Sequence, residues 1–216
     1  MKKNRLISFG CSLTQGAALD DNWDNDKQER LSNTSVYAWP QLVANELNLE
    51  CINTATGGAS GKEIWHNIIN FDFQENDIVF VQWPDVNRYA KFSLVGNEVK
   101  VDTMGVWRST SDTLSTLFFK YFYSDYDMKM DLLLRMNYVD TLFKTKNITN
   151  YQFMIDDRMF GKLYSKHLLN VKLLDVKFKQ NRIDLANDAI HPGPLSHRMI
   201  SDRILNCIAN EIYYNV

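Results

Sequence analysis

Apolar positions along the chain switch between two periods, one suited to strands and one to helices. Leu6, Ile7 and Phe9 form a short apolar run that reads as a strand. After an acid-rich polar loop (Asp20, Asp21, Asp24, Asp26, Glu29), the stretch Val36 to Leu47 places Trp39, Leu42, Val43 and Leu47 near one helical face, with Pro40 tolerated in the first turn. Cys51 to Ala55 reads as a second strand, ended by Gly57-Gly58. Ser60 then caps a helix carrying Ile64, Trp65, Ile68 and Ile69. The run Asp77 to Trp83 has the unbroken apolar character of a central strand buried on both faces.

The middle of the chain is less regular. Phe92 to Val95 and Glu98 to Val101 flank Gly96-Asn97, a two-residue connection with hairpin chemistry. An aromatic stretch, Leu117 to Tyr123, and a helical run from about Met128 to Phe143 follow. This insert, at about 90–148, reads either as a lid or as extra packing on the sheet. Tyr151 to Ile155 reads as a fourth strand, Leu173 to Val176 as a weak fifth, and Leu195 to Tyr213 as a closing amphipathic helix. The alternation predicts an α/β protein: a three-layer α/β/α sandwich around a flavodoxin-like, mostly parallel sheet of about five strands, with residues 1–216 as one domain.

Composition narrows the functional classes. The 216 residues carry a net charge of −2 and no concentrated run of Lys and Arg, which disfavours a nucleic-acid partner. The three cysteines (Cys11, Cys51, Cys207) have neither metal-ligand nor CxxC spacing, so neither a disulfide framework nor a metal site is expected. The basic start, Met1 to Arg5, precedes an apolar stretch that breaks at Gly10, too short for a signal-peptide core. No apolar run approaches the ~20 residues of a membrane span. The expectation is a cytoplasmic protein without a membrane span; the oligomeric state is left open.

Chemistry concentrates at the two ends of the chain. Ser12, in Gly10-Cys11-Ser12-Leu13-Thr14, follows the first strand at its carboxyl end, where open α/β sheets place ligands. Asp188 and His191 lie together near the finish, in Asp188-Ala189-Ile190-His191-Pro192. A serine hydroxyl needs an imidazole to take its proton, and the imidazole needs a carboxylate to fix its tautomer and stabilise the imidazolium. A lone serine after a strand is more often a turn residue; the Asp-x-x-His partner shifts the balance to a nucleophile. His66 and His197 lack such context and read as structural or surface residues.

These segments resemble the SGNH, or GDSL, hydrolases. Gly10 to Thr14 looks like that family's Gly-Asp-Ser-Leu block with Cys11 where Asp is usual, Asn53 to Ser60 looks like its second block, and Asp188 to His191 like its last. The resemblance implies Ser12 as nucleophile, His191 as base, Asp188 as its orienting acid, and the N–H groups of Ser12 and Gly58 as an oxyanion hole. No cofactor is implied. The family's third-block asparagine has no counterpart in Val81 to Arg88, which leaves Gln82, or else Asn87 or Arg88, as candidates for a third donor. Trp83 and Arg88 are candidate substrate contacts, Arg88 for an anionic group and Trp83, with Trp23 and Trp107, for sugar rings. The implied activity is a serine esterase acting on a small-molecule or glycan ester, a carbohydrate O-acetyl ester foremost. An O-acyltransferase and a non-catalytic carbohydrate-binding module are the alternatives.

Overall fold

Parallel strands buried on both faces build the centre of the molecule. In the computed structural model, which describes residues 4–108, 111–156 and 171–213, the chain runs β1 (Arg5–Phe9), α1 (Ser12–Gln15), β2 (Trp23–Asp24), β3 (Glu29–Arg30), α2 (Trp39–Glu46), β4 (Glu50–Asn53), α3 (Gly61–Ile69), β5 (Ile78–Trp83), β6 (Arg88–Val95), β7 (Glu98–Gly105), α4 (Thr113–Tyr121), α5 (Asp125–Thr145), β8 (Thr149–Met154) and α6 (Pro194–Ala209). Met1, Lys2 and Lys3 of the basic start lie outside the described residues. The main sheet has the order β4-β1-β5-β8, every neighbour parallel.

Successive side chains of a strand face opposite ways, and both faces here are covered. Ile7, Phe9, Val79, Val81 and Met154 pack with Ile64 and Ile68 of α3 and Leu133, Met136 and Phe143 of α5. Leu6, Phe80 and Phe153 pack with Trp39 and Val43 of α2 and Ile200 and Ile204 of α6. The result is the expected α/β/α sandwich. Each fully buried aliphatic or aromatic side chain contributes roughly 1.5–3 kcal/mol. Arg5 pins the starts of β1 and β5 together through a two-point contact with Asp77, its Nε donating to Oδ1 at 2.8 Å.

The sheet is one strand narrower than expected. Leu173 pairs with Gln152 in parallel and Leu174 with Tyr213 antiparallel, each as a single bridge. The Val176 N–H bonds back to the Leu174 carbonyl (2.9 Å) and Arg203 Nε takes the Asp175 carbonyl (2.9 Å), so the backbone curls away before a ladder extends. The closing helix ends at Ala209, short of Tyr213, which leaves it to make that bridge. The hairpin is longer than its turn chemistry indicated: β6 and β7 pair from Val95–Glu98 at the Gly96 turn down to Arg88–Gly105 at the base. Within the insert, α5 is core packing, while the hairpin base approaches the carboxyl edge of the sheet.

Helices α2 and α6 are joined by a buried histidine. The cap position of α2, Ala38, offers no side-chain acceptor, and the orphan N–H of Trp39 is satisfied by His197 Nδ1 at 3.1 Å. Burial pushes this imidazole down to about 4. A depressed histidine keeps its proton off in the fold while the unfolded chain takes one up below about 6.5, so stability is lost as pH falls. The His197 contribution to that loss is expected to be about 2 kcal/mol at pH 5 relative to pH 7.5. Urea denaturation at the two pH values measures it, and His197→Gln, which keeps a neutral acceptor for Trp39, should flatten this component.

Candidate active site

The turn that carries Ser12 is built by close packing. The chain passes from β1 into α1 through Gly10 and Cys11, and Cys11 caps α1 through its carbonyl, which accepts from the Thr14 and Gln15 N–H groups (both 2.9 Å). A Cβ at position 10 would lie 2.1 Å from Thr14 Oγ1, so only glycine fits. Thr14 Oγ1 donates to Gln82 Oε1 at 2.6 Å, and Asn53 Nδ2 donates to the Thr14 carbonyl at 2.8 Å. Residues from β1, β4 and β5 thus hold one short helix, whose first residue is Ser12.

Asp188 and His191 come from the loop before α6. Asp188 Oδ1 accepts from the N–H groups of Ile190 (3.0 Å) and His191 (2.9 Å), while its Oδ2 lies 2.7 Å from His191 Nδ1. Ala189, at the tip, takes a left-handed φ of 54°. Burial acts to raise the Asp188 carboxyl, but the His191 and Ile190 N–H groups and the imidazole outweigh it and hold it below the usual range. Burial lowers the His191 imidazole; Asp188 opposes, Arg30 and Arg182 reinforce, and the net direction is down. A lowered histidine is neutral, and ready to accept a proton, over more of the physiological range.

Ser12, Gly58 and His191 open into one cavity of about 380 Å³, lined also by Arg30, Arg88, Trp107 and Ile190. Gly58 adopts φ +81°, a conformation that favours glycine at this turn. A broader polar cleft of about 790 Å³ shares Arg30, Gly58 and Trp107 with it and extends past Glu63, Thr103, Arg108 and Asp112. Among the described residues, no cluster of His, Cys, Asp or Glu is arranged to hold a metal ion, and no helix is long and apolar enough to cross a membrane.

Three of the expected residues lie elsewhere. Gln82 is fully buried beneath the Ser12 turn and does not line the cavity; its side-chain carbonyl accepts from Thr14 Oγ1, and its amide nitrogen is buried without a hydrogen-bond partner. Its neighbour Trp83 takes the opposite face of β5, packs in the core under α3 and α5, and donates from Nε1 to Gln152 at 2.8 Å; it cannot stack on a substrate. Asn87 stays outside the cavity, its carbonyl accepting from the Val106 N–H. Arg88, by contrast, reaches it. The aromatic that lines it is Trp107, just past the hairpin base, and Arg30 arrives from the small β2–β3 pair. Sequence reasoning overlooked Arg30, which sits in an acid-rich loop with no motif around it.

No family model matches the sequence, and no curated protein matches it. Solved structures do. A protein of the lipolytic G-D-S-L family from Desulfitobacterium hafniense is similar at a TM-score of 0.54 and 9% identity, over 94% of this chain and 98% of that one. A carbohydrate esterase whose active site displays divergent catalytic and non-catalytic binding functions reaches 0.58 at 11% identity, over 97% of this chain and 66% of its own. An acetyl xylan esterase from the rumen bacterium Butyrivibrio proteoclasticus reaches 0.52 at 13%, over 98% and 65%. The chain therefore spans about two thirds of the length of these two esterases. The chain has the fold of the SGNH/GDSL hydrolases.

Proposed function

We propose that the protein is a serine esterase that cleaves carboxylic esters through an acyl-enzyme, with carbohydrate O-acetyl esters as its substrates. The observation that carries this reading is the Asp188–His191 pair opening, with Ser12 and Gly58, into a single cavity. Ser12 Oγ attacks the ester carbonyl as its proton passes to His191, while Asp188 fixes the imidazole tautomer and stabilises the imidazolium. The oxyanion is held by the N–H groups of Ser12 and Gly58. The alcohol leaves with the proton from His191, and water, activated by the same base, releases the acid from Ser12.

Two features support a short acyl group on a hydroxyl-rich alcohol. The cavity at Ser12 is small, and the cleft joined to it is lined by Glu63, Thr103, Arg108 and Asp112, which suits hydroxyl groups better than a lipid tail. Trp107, about half exposed, offers a ring face at the junction. The reading also fits the activities named for the carbohydrate esterase and the acetyl xylan esterase of similar fold.

Ser12→Ala and His191→Ala are each expected to lower turnover of 4-nitrophenyl acetate by about 10³-fold or more with unchanged circular dichroism, and the double variant should be little worse than either. Asp188→Asn should also be severely slowed. Wild-type turnover in Ser12→Ala would rule out this nucleophile.

The acid limb of kcat/KM should lie below the ordinary histidine range, because His191 must be neutral and its ionisation is lowered. Arg30→Gln removes a cation that disfavours the imidazolium, so the limb should move to higher pH in low-salt buffer. A limb unmoved, or moved to lower pH, counts against Arg30 acting on His191.

A further inference from the structure

We infer that the ester taken by this site carries a carboxylate, seated on the guanidinium of Arg88, with Arg30 lining the same cavity. The inference rests on the esterase reading and extends it to the chemistry of the substrate. Both guanidinium groups line the same cavity as Ser12 and His191. Two cations around a space of this size repel each other, and an anion between them relieves that repulsion.

Among the described residues, Arg30 pairs only with Asp188, at 3.5 Å, and Arg88 with no carboxylate. Arg88 lies with its guanidinium 4.9 Å over the Trp107 ring, and its Nη1 donates to the neutral carbonyl of Ala59 at 3.2 Å. The carboxyl of Glu63 is nearby and interacts with Arg88 through charge alone; it accepts from Thr103 Oγ1 at 2.9 Å, and burial raises its ionisation. Arg30 has its Nε 3.5 Å from Asp188 Oδ2, beyond hydrogen-bond length, and that oxygen is already bonded to His191 at 2.7 Å. The Arg30 side chain is 46% exposed, which leaves its terminal nitrogens free to meet a ligand.

The chemistry favours a carboxylate. A guanidinium stacked on an indole presents its edge in a fixed direction, and that planar fork matches two carboxylate oxygens. The carboxylate can belong to the acyl half, as in a monoester of a dicarboxylic acid, or to the alcohol half, as in an O-acetylated uronic acid. Both place an anion beside the ester.

Two matched substrate pairs distinguish the halves. The acyl arm compares 4-nitrophenyl hydrogen succinate with 4-nitrophenyl butyrate. The alcohol arm compares acetate release from O-acetylated galacturonic acid with release from its methyl uronate. The expected result is a preference in kcat/KM of about tenfold or more for the charged member of one pair, shrinking as salt is raised. That ratio should fall toward one in Arg88→Gln and be partly kept in Arg88→Lys. A ratio of one or less in both pairs, or a ratio unchanged in Arg88→Gln and Arg30→Gln, overturns the inference. Binding of galacturonate and galactose to Ser12→Ala protein separates this failure from failure of the esterase reading. Tighter galacturonate binding that is lost in Arg88→Gln supports the anion site even if no ester is cleaved, and equal binding of the two sugars, together with equal binding of succinate and butyrate to the same protein, overturns it.

Discussion

The reversal of the chain between β1 and α1 is held by one buried polar contact, the hydroxyl of Thr14 on the side-chain carbonyl of Gln82 at 2.6 Å. Gly10 makes room for that hydroxyl, and Asn53 ties the carbonyl of the same threonine to β4. Since β4, β1 and β5 are parallel neighbours, all three strands end at this point, and the short helix that begins with Ser12 is fixed to each of them. Loss of Thr14 would leave the buried Gln82 carbonyl with only the long contact from Cys11 Sγ at 3.9 Å, a penalty of up to about 1–3 kcal/mol placed directly under Ser12. Full burial under the turn keeps Gln82 out of the lining of the cavity above it.

Around this fixed point the electrostatics are arranged in two layers. Asp188 accepts from two backbone N–H groups and bonds the imidazole, and its Oδ2 also lies 3.5 Å from Arg30 Nε on the cavity wall. The cavity wall carries Arg30 and Arg88. Burial together with Arg30 and Arg182 keeps the imidazole neutral against the pull of Asp188. An environment of this kind favours a base at rest and developing negative charge in the cavity, the requirements of acyl transfer to a serine.

Much of the architecture was legible in the chain because it depends on local periodicity. The apolar run ending at Trp83, the Ser60 cap and the Asp188-to-His191 spacing all translate directly into a central strand, the start of α3 and a hydrogen-bonded dyad. What was not legible depends on strand parity and on distant partners. Nothing in Val81-Gln82-Trp83-Pro84 states which residues face the α3 and α5 layer, yet that parity sends Trp83 into the core and Gln82 under the Ser12 turn. Arg30 reaches the cavity only because a two-residue strand pair converges on it, a long-range placement without a sequence signal, whereas Trp107, already a candidate ring in the sequence, arrives just past the base of a long hairpin. The fifth strand failed for a similar reason: Arg203 and Cys207, about thirty residues later, take the carbonyl of Asp175 that a ladder would have used.

The central claim is that Ser12 is a nucleophile activated by His191. Incubation with a serine-directed organophosphonate, followed by intact-protein and peptide mass spectrometry, tests it without any assumption about substrate. The account predicts a single adduct on the peptide containing Ser12, absent from Ser12→Ala and strongly slowed in His191→Ala. No adduct on the wild-type protein, or an adduct that persists in Ser12→Ala, would contradict it.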